Sequence, residues 1–211
     1  MQIHTLALGA FQANCYLITD DQACAVIDPG GDAERLLAQL TTLGVAPALI
    51  LLTHGHPDHI AAACALRAAT GARVLAHAGD RAWVEHPHPY MAQLVGGVED
   101  CAVDGELTDD QELEVGECRL RVLHTPGHSP GCVCFLALQA DGAGVVFTGD
   151  TLFAGSVGRT DLQGGDWGTL AESLKRLVAV TTPQTVVYPG HGPATTIGEE
   201  LQTNPYLRDL G

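Results

Sequence analysis

His54-Gly55-His56-Pro57-Asp58-His59 places three imidazoles and a carboxylate within six residues, directly after the apolar run Ala48-Leu49-Ile50-Leu51-Leu52. Neutral imidazole and carboxylate are the groups that zinc, iron and manganese accept as ligands. Crowding them into one turn costs stability unless a cation binds there. The pattern predicts a metal site whose remaining ligands come from elsewhere in the chain.

Three later segments share one format, a strand-like run followed by a glycine-containing turn that carries a ligand-type residue. Residues 120–124 lead into Thr125-Pro126-Gly127-His128, residues 145–148 into Gly149-Asp150, and residues 185–188 into Pro189-Gly190-His191. Strand ends that converge on one edge of a sheet commonly build a site. The candidate set is therefore His54, His56, Asp58, His59, His128, Asp150 and His191. Seven ligands exceed what one tetrahedral ion takes, but they suit two ions about 3.5–4 Å apart. On this reading His54, His56 and His128 hold one divalent ion, Asp58, His59 and His191 hold the other, and Asp150 bridges them. Zinc is expected first, iron and manganese being acceptable to the same donors.

The elements that must position these residues follow from periodicity and turn signals. Residues 3–8, 14–19 and 23–27 read as short strands, and Asp28-Pro29-Gly30-Gly31 as a turn in which Asp28 is expected to act as a turn former. Leu36, Leu37, Leu40 and Leu43 have helical spacing, closed by Gly44. Residues 48–52 read as a strand buried on both faces. Pro57 suits a first helical position, predicting a helix over 57–70, followed by a strand at 73–76. Residues 87–99 read as irregular. Strands are then expected at 112–115, 119–124, 132–138, 145–148 and 185–188, with helices at 166–180 and 198–202. Strands followed by a helix occur before and after the middle, which predicts an α/β fold: a four-layer αββα sandwich of two mixed sheets flanked by helices.

The chain has 211 residues, enough for one domain over 1–211. Apolar residues make up 46%, which excludes a disordered chain. No run approaches a membrane span and the N-terminus has no basic and apolar signal pattern, so a cytoplasmic protein without a membrane partner is expected. The net charge of −15, from 10 basic and 25 acidic residues, argues against a nucleic-acid partner. Seven cysteines without a Cys-x-x-Cys pair read as reduced, mostly buried thiols. His4, His77, His86, His88 and His124 are expected to lie outside the chemistry, and Thr53 and Ser129 to satisfy backbone groups.

Thr53-His54-Gly55-His56-Pro57-Asp58-His59, with His128, Asp150 and His191 downstream, resembles the metallo-β-lactamase superfamily. Phe11-Gln12-Ala13-Asn14-Cys15-Tyr16-Leu17, Gly158-Arg159-Thr160-Asp161 and Gly190-His191-Gly192-Pro193 make it similar to the short glyoxalase II enzymes. Only 20 residues (211 − 191) follow His191, so the C-terminal helical domain of the long glyoxalase II enzymes is not expected. The resemblance implies a small-molecule thioester substrate, such as the glutathione-derived S-lactoylglutathione, cleaved by a hydroxide bridging the ions. It implies catalytic roles for Asp58 and Asp150 and a monomer or small homo-oligomer. Arg159, a basic residue in the loop after Asp150, is expected either to anchor a substrate carboxylate or carbonyl or to form a structural ion pair with Asp161 or another acid. Tyr188 and Tyr90 are weaker candidates for lining the pocket. The rival reading is a glutathione persulfide dioxygenase with a single iron on His54, His128 and Asp150; other hydrolases of the fold, a lactonase or a β-lactamase, stand behind it.

Overall fold

The computed structural model describes residues 1–20, 23–138 and 144–208. The first sheet has the order β1 (Gln2–Leu8), β2 (Ala13–Thr19), β3 (Cys24–Ile27), β4 (Leu49–Leu51), β5 (Arg73–His77) and β6 (Gly105–Leu107). Its first three strands pair antiparallel and its last four pair parallel. The chain then forms β7 (Glu112–Val115), β8 (Cys118–His124), β9 (Val133–Leu138), β10 (Gly144–Gly149), the small hairpin β11 (Leu152–Phe153) and β12 (Ser156–Val157), β13 (Val186–Pro189) and β14 (Thr195–Thr196). The second sheet runs β14-β13-β10-β9-β8-β7, parallel only between β10 and β13.

Side chains alternate across a strand, so the apolar runs serve two cores at once. In β2 and β3, Tyr16, Ile18, Ala25 and Ile27 pack against Val122, Val133, Phe135 and Phe147 of the opposite sheet. Their neighbours Cys15, Leu17, Cys24 and Val26 instead meet Leu36, Leu40 and Leu66. Those leucines belong to helices α1 (Ala33–Leu43) and, following the four-residue α2 (Pro57–Ile60), α3 (Ala63–Thr70). After α4 (Arg81–Glu85) and α5 (Pro89–Leu94), α6 (Trp167–Ala179) covers the outer face of the second sheet. Leu170, Leu174 and Leu177 of α6 pack there with Leu123, Cys134, Leu136 and Val146, joined by Ile197 of α7 (Ile197–Thr203) and Leu207 of α8 (Pro205–Arg208). The layers are helix, sheet, sheet, helix, as the strand pattern predicts. Among the described residues, no helix is long and apolar enough to cross a membrane.

Two local expectations need correction. The helix expected over 57–70 is two helices, because the Ala62 N–H donates to the Pro29 carbonyl (2.8 Å) and leaves the helical ladder. The segment read as irregular holds α5, with Pro89 at its first turn, where a missing N–H costs nothing. All seven cysteines are free thiols.

Candidate metal centre

Every candidate ligand lies just beyond a strand or in the first turn that follows one. His54 follows β4, His56 precedes α2, and Asp58 and His59 lie in α2's single turn. His128 follows β8, Asp150 follows β10 and His191 follows β13. The structure brings all seven together. His54, His56 and His128 form one group whose ligand atoms lie within 4.8 Å of one another, and Asp58, His59 and His191 form a second. Asp150 stands between the groups: its carboxylate is 3.5 Å from His128 Nε2, 3.3 Å from His59 Nε2 and 3.8 Å from His191 Nε2.

The hydrogen bonds fix which nitrogen faces inward in three of the rings, His54, His59 and His128. Thr53 donates from its N (2.8 Å) and its hydroxyl (2.6 Å) to Asp28. With its proton so committed, the Thr53 oxygen accepts from His54 Nδ1 at 3.0 Å. His59 Nδ1 donates to Asp28 Oδ2 at 2.9 Å, and His128 Nδ1 donates to the Arg159 carbonyl at 2.7 Å. Each Nε2 is thereby left as a lone pair aimed at the centre. This arrangement, a ring N–H tied to a carboxylate or carbonyl, is how metal-ligating histidines are held.

The donor set fits a pair of cations on three observations. His54 Nε2 is buried with no hydrogen-bond partner, and Asp150 Oδ1 is buried with only the His59 Nε2 contact at 3.3 Å and no hydrogen bond, a costly state unless something positive meets them. His128 Nε2 and His56 Nδ1 face each other at 2.8 Å. Electrostatics agree. Burial, then the neighbouring imidazoles, push His54 well down and His56 to about 4, so both rings are neutral donors. Burial would raise Asp58 and Asp150, but His59 and its neighbours outweigh it and keep both carboxylates ionised. Burial likewise opposes charge on His59, yet Asp150 and Asp58 pull its affinity for a proton well above the ordinary value. The cluster favours positive charge at its middle.

Two supporting carboxylates escaped sequence reading. Asp28, expected as a turn former, does sit in a left-handed turn (φ 50°), but it also orients His59 directly and His54 through Thr53. Asp80 is buried and accepts from Gly55 N (2.8 Å), Gly131 N (2.6 Å) and Ser129 Oγ (2.6 Å), tying the His56 loop to the His128 loop. Thr53 and Ser129 thus serve these carboxylates rather than backbone groups alone. The Arg159 guanidinium lies on Asp161 (2.6 and 2.8 Å), both exposed. Tyr90 lines a cavity beside His56, whereas Tyr188 packs between the sheets against Phe147.

A double-sheet sandwich with a histidine-rich, two-group ligand cluster at its strand ends defines a class of metal-dependent hydrolases. The chain belongs to the metallo-beta-lactamase superfamily, whose family model matches residues 8–191. It is 36% identical over 211 residues to the hydroxyacylglutathione hydrolase GloC of Haemophilus influenzae, covering 98% of each chain. Among solved structures it is similar to TTHA1623 in a di-iron-bound form (42% identity, TM-score 0.86, covering 97% of this chain and 100% of that one). It is also similar to the BLEG-1 B3 metallo-beta-lactamase (38% identity, TM-score 0.85, covering 98% and 99%).

Proposed function

We propose that this chain is a thioester hydrolase of the glyoxalase II type, with S-lactoylglutathione as its reference substrate. The observation that carries the reading is the pairing of two complete triads about Asp150. His54, His56 and His128 would hold one divalent ion, Asp58, His59 and His191 the other, with Asp150 shared. When bound, two such ions supply a water acidified toward neutrality and a Lewis acid for a carbonyl oxygen.

The chain's own residues do the rest. Asp28 and the Arg159 carbonyl keep the ligand lone pairs inward. Asp58 and Asp150, both held ionised, would serve as ligands and could orient a water in the cluster by accepting its hydrogen bonds. Asp58 Oδ2 also holds His191 Nε2 at 3.2 Å. A thiolate leaving group has a reference pKa near ~8.5 and departs without a strong general acid, in keeping with a site that offers carboxylates and neutral imidazoles. Arg159 anchors a substrate carboxylate by exchanging it for exposed Asp161.

The single-iron dioxygenase reading employs His54, His128 and Asp150 and gives Asp58, His59 and His191 no task. Their convergence supports hydrolysis. The deciding experiment follows S-lactoylglutathione hydrolysis alongside elemental analysis of the same preparation. Turnover with two metal equivalents per chain is expected; one iron per chain with oxygen uptake on glutathione persulfide overturns the reading.

A further inference from the structure

Beside the first triad lies a cavity of about 220 Å³ that shares His56 with it. Its walls come from three places: Pro57 of α2, Trp83 of α4 with the α4–α5 rim, and Leu162 with Gln163 from the loop after Arg159. The Trp83 indole lies parallel to the His56 ring, centroids 5.7 Å apart and planes 7° from parallel. Tyr90 and Met91, from α5, complete a mostly apolar lining, whose polar side chains include His56, His88, Tyr90 and Gln163. Among the described residues, no lysine, arginine, aspartate or glutamate lines this cavity.

Two magnitudes limit what enters. Pockets that enclose a drug-sized ligand run about 300–1,000 Å³, so this one takes a fragment rather than a tripeptide carrier. Glutathione carries two carboxylates, and a carboxylate buried without a cation is strongly disfavoured. The carrier is therefore expected to lie outside the cavity. What remains to fill the cavity is the substituent on the acyl carbon, which leaves a carbonyl placed at the ligand cluster next to His56.

We infer that the cavity beside His56 is an acyl-group subsite for an uncharged aromatic or branched-alkyl substituent, larger than the methyl group of lactate. This specifies the substrate class of the thioester hydrolase proposed above and rests on that reading. A flat ring in this cavity would meet Trp83 and Leu162, with the flexible Met91 adapting to it.

The test holds the carrier constant. S-mandeloylglutathione differs from S-lactoylglutathione by a phenyl group in place of a methyl group. Its kcat/KM is expected to be higher by about tenfold or more, the scale on which apolar pockets discriminate. The ratio should fall toward one in Leu162→Asp and, independently, in Met91→Asp. Saturation-transfer NMR with mandelamide as probe should show contact to its phenyl protons that both variants remove. Equal or better use of S-lactoylglutathione overturns the subsite while leaving thioester hydrolysis standing. Failure to cleave either thioester with metal loaded overturns the hydrolase reading, and the mandelamide signal then decides the subsite alone: its absence overturns it, and its loss in both variants supports it.

Discussion

Asp28 and His59, 31 residues apart, are joined by a 2.9 Å hydrogen bond from the imidazole Nδ1 to the carboxylate Oδ2. The same carboxylate takes the Thr53 hydroxyl that receives His54 Nδ1. One side chain therefore sets the ring orientation of a candidate ligand in each triad. Asparagine tolerates the left-handed backbone that position 28 adopts, so Asp28→Asn removes charge without adding backbone strain. Metal affinity is expected to drop about 10–100-fold, read by competition with a chromophoric chelator. An unchanged affinity would show that the rings hold their orientation without it.

Asp58 offers an oxygen to the second triad alone. Asp58→Ala should reduce the metal content from two equivalents to one and slow hydrolysis on the order of 100-fold or more, the scale of losing one electrostatic stabiliser of the transition state. Elemental analysis and steady-state kinetics on one preparation check both. Undiminished turnover would count against a two-ion mechanism.

Asp80 collects three donors from two separate loops. In Asp80→Asn the amide NH2 faces a donor in place of an acceptor. A stability loss of about 1–3 kcal/mol is expected, measured by urea denaturation of the metal-free protein. Metal retention should weaken at the first triad before the second, because His56 and His128 flank the loops that Asp80 joins.

Gly190 is required for space. A Cβ there would collide with Asp150 Oδ1 and lie 2.7 Å from His59 Cε1. Gly190→Ala should cost about 1–3 kcal/mol and displace the shared carboxylate, so that metal content falls below one equivalent. A variant that retained two ions would show that the site yields more readily than its packing implies.

The Arg67–Asp104 pair supplies a pH signature away from the metals. Arg67 donates to Asp104 through Nε (2.9 Å) and Nη2 (2.8 Å), and Val74 N donates to the same carboxylate at 2.9 Å. The Arg67 hydrogen bond is the largest cause holding Asp104 at about 2, against an ordinary 3.8. A depressed carboxylate stabilises the fold above its unfolded value and loses that contribution as pH falls through its folded value. Asp104→Asn should therefore be less stable than the parent at pH 6, by no more than about 1 kcal/mol since the pair is partly solvated. The difference should vanish between pH 4 and 2 in a series of thermal melts.

The candidate ligands were legible because each is announced locally, by residue type and by a glycine turn after an apolar run. The layer architecture was legible for a related reason: residues 48–52 and 132–138 are apolar at successive positions, as strands covered on both faces must be. Asp28 and Asp80 were not. An aspartate before Pro29-Gly30 carries a sufficient turn explanation of its own, and its partners Thr53 and His59 are adjacent only after β3 and β4 pair in parallel. Asp80 meets Ser129 and Gly131 across 49 and 51 residues. The break after Ile60 was hidden likewise, since the carbonyl that captures Ala62 N belongs to Pro29.

Each triad draws two members from the turn after β4 and one from the half of the chain that builds the opposite sheet: His128 for one, His191 for the other. Ions seated there would rivet the two halves together at a single rim. Stripping them with a chelator would then do more than silence an enzyme. It would unfasten the book at its open edge, leaving the buried pages of Tyr16, Phe135 and Phe147 to hold the covers shut alone.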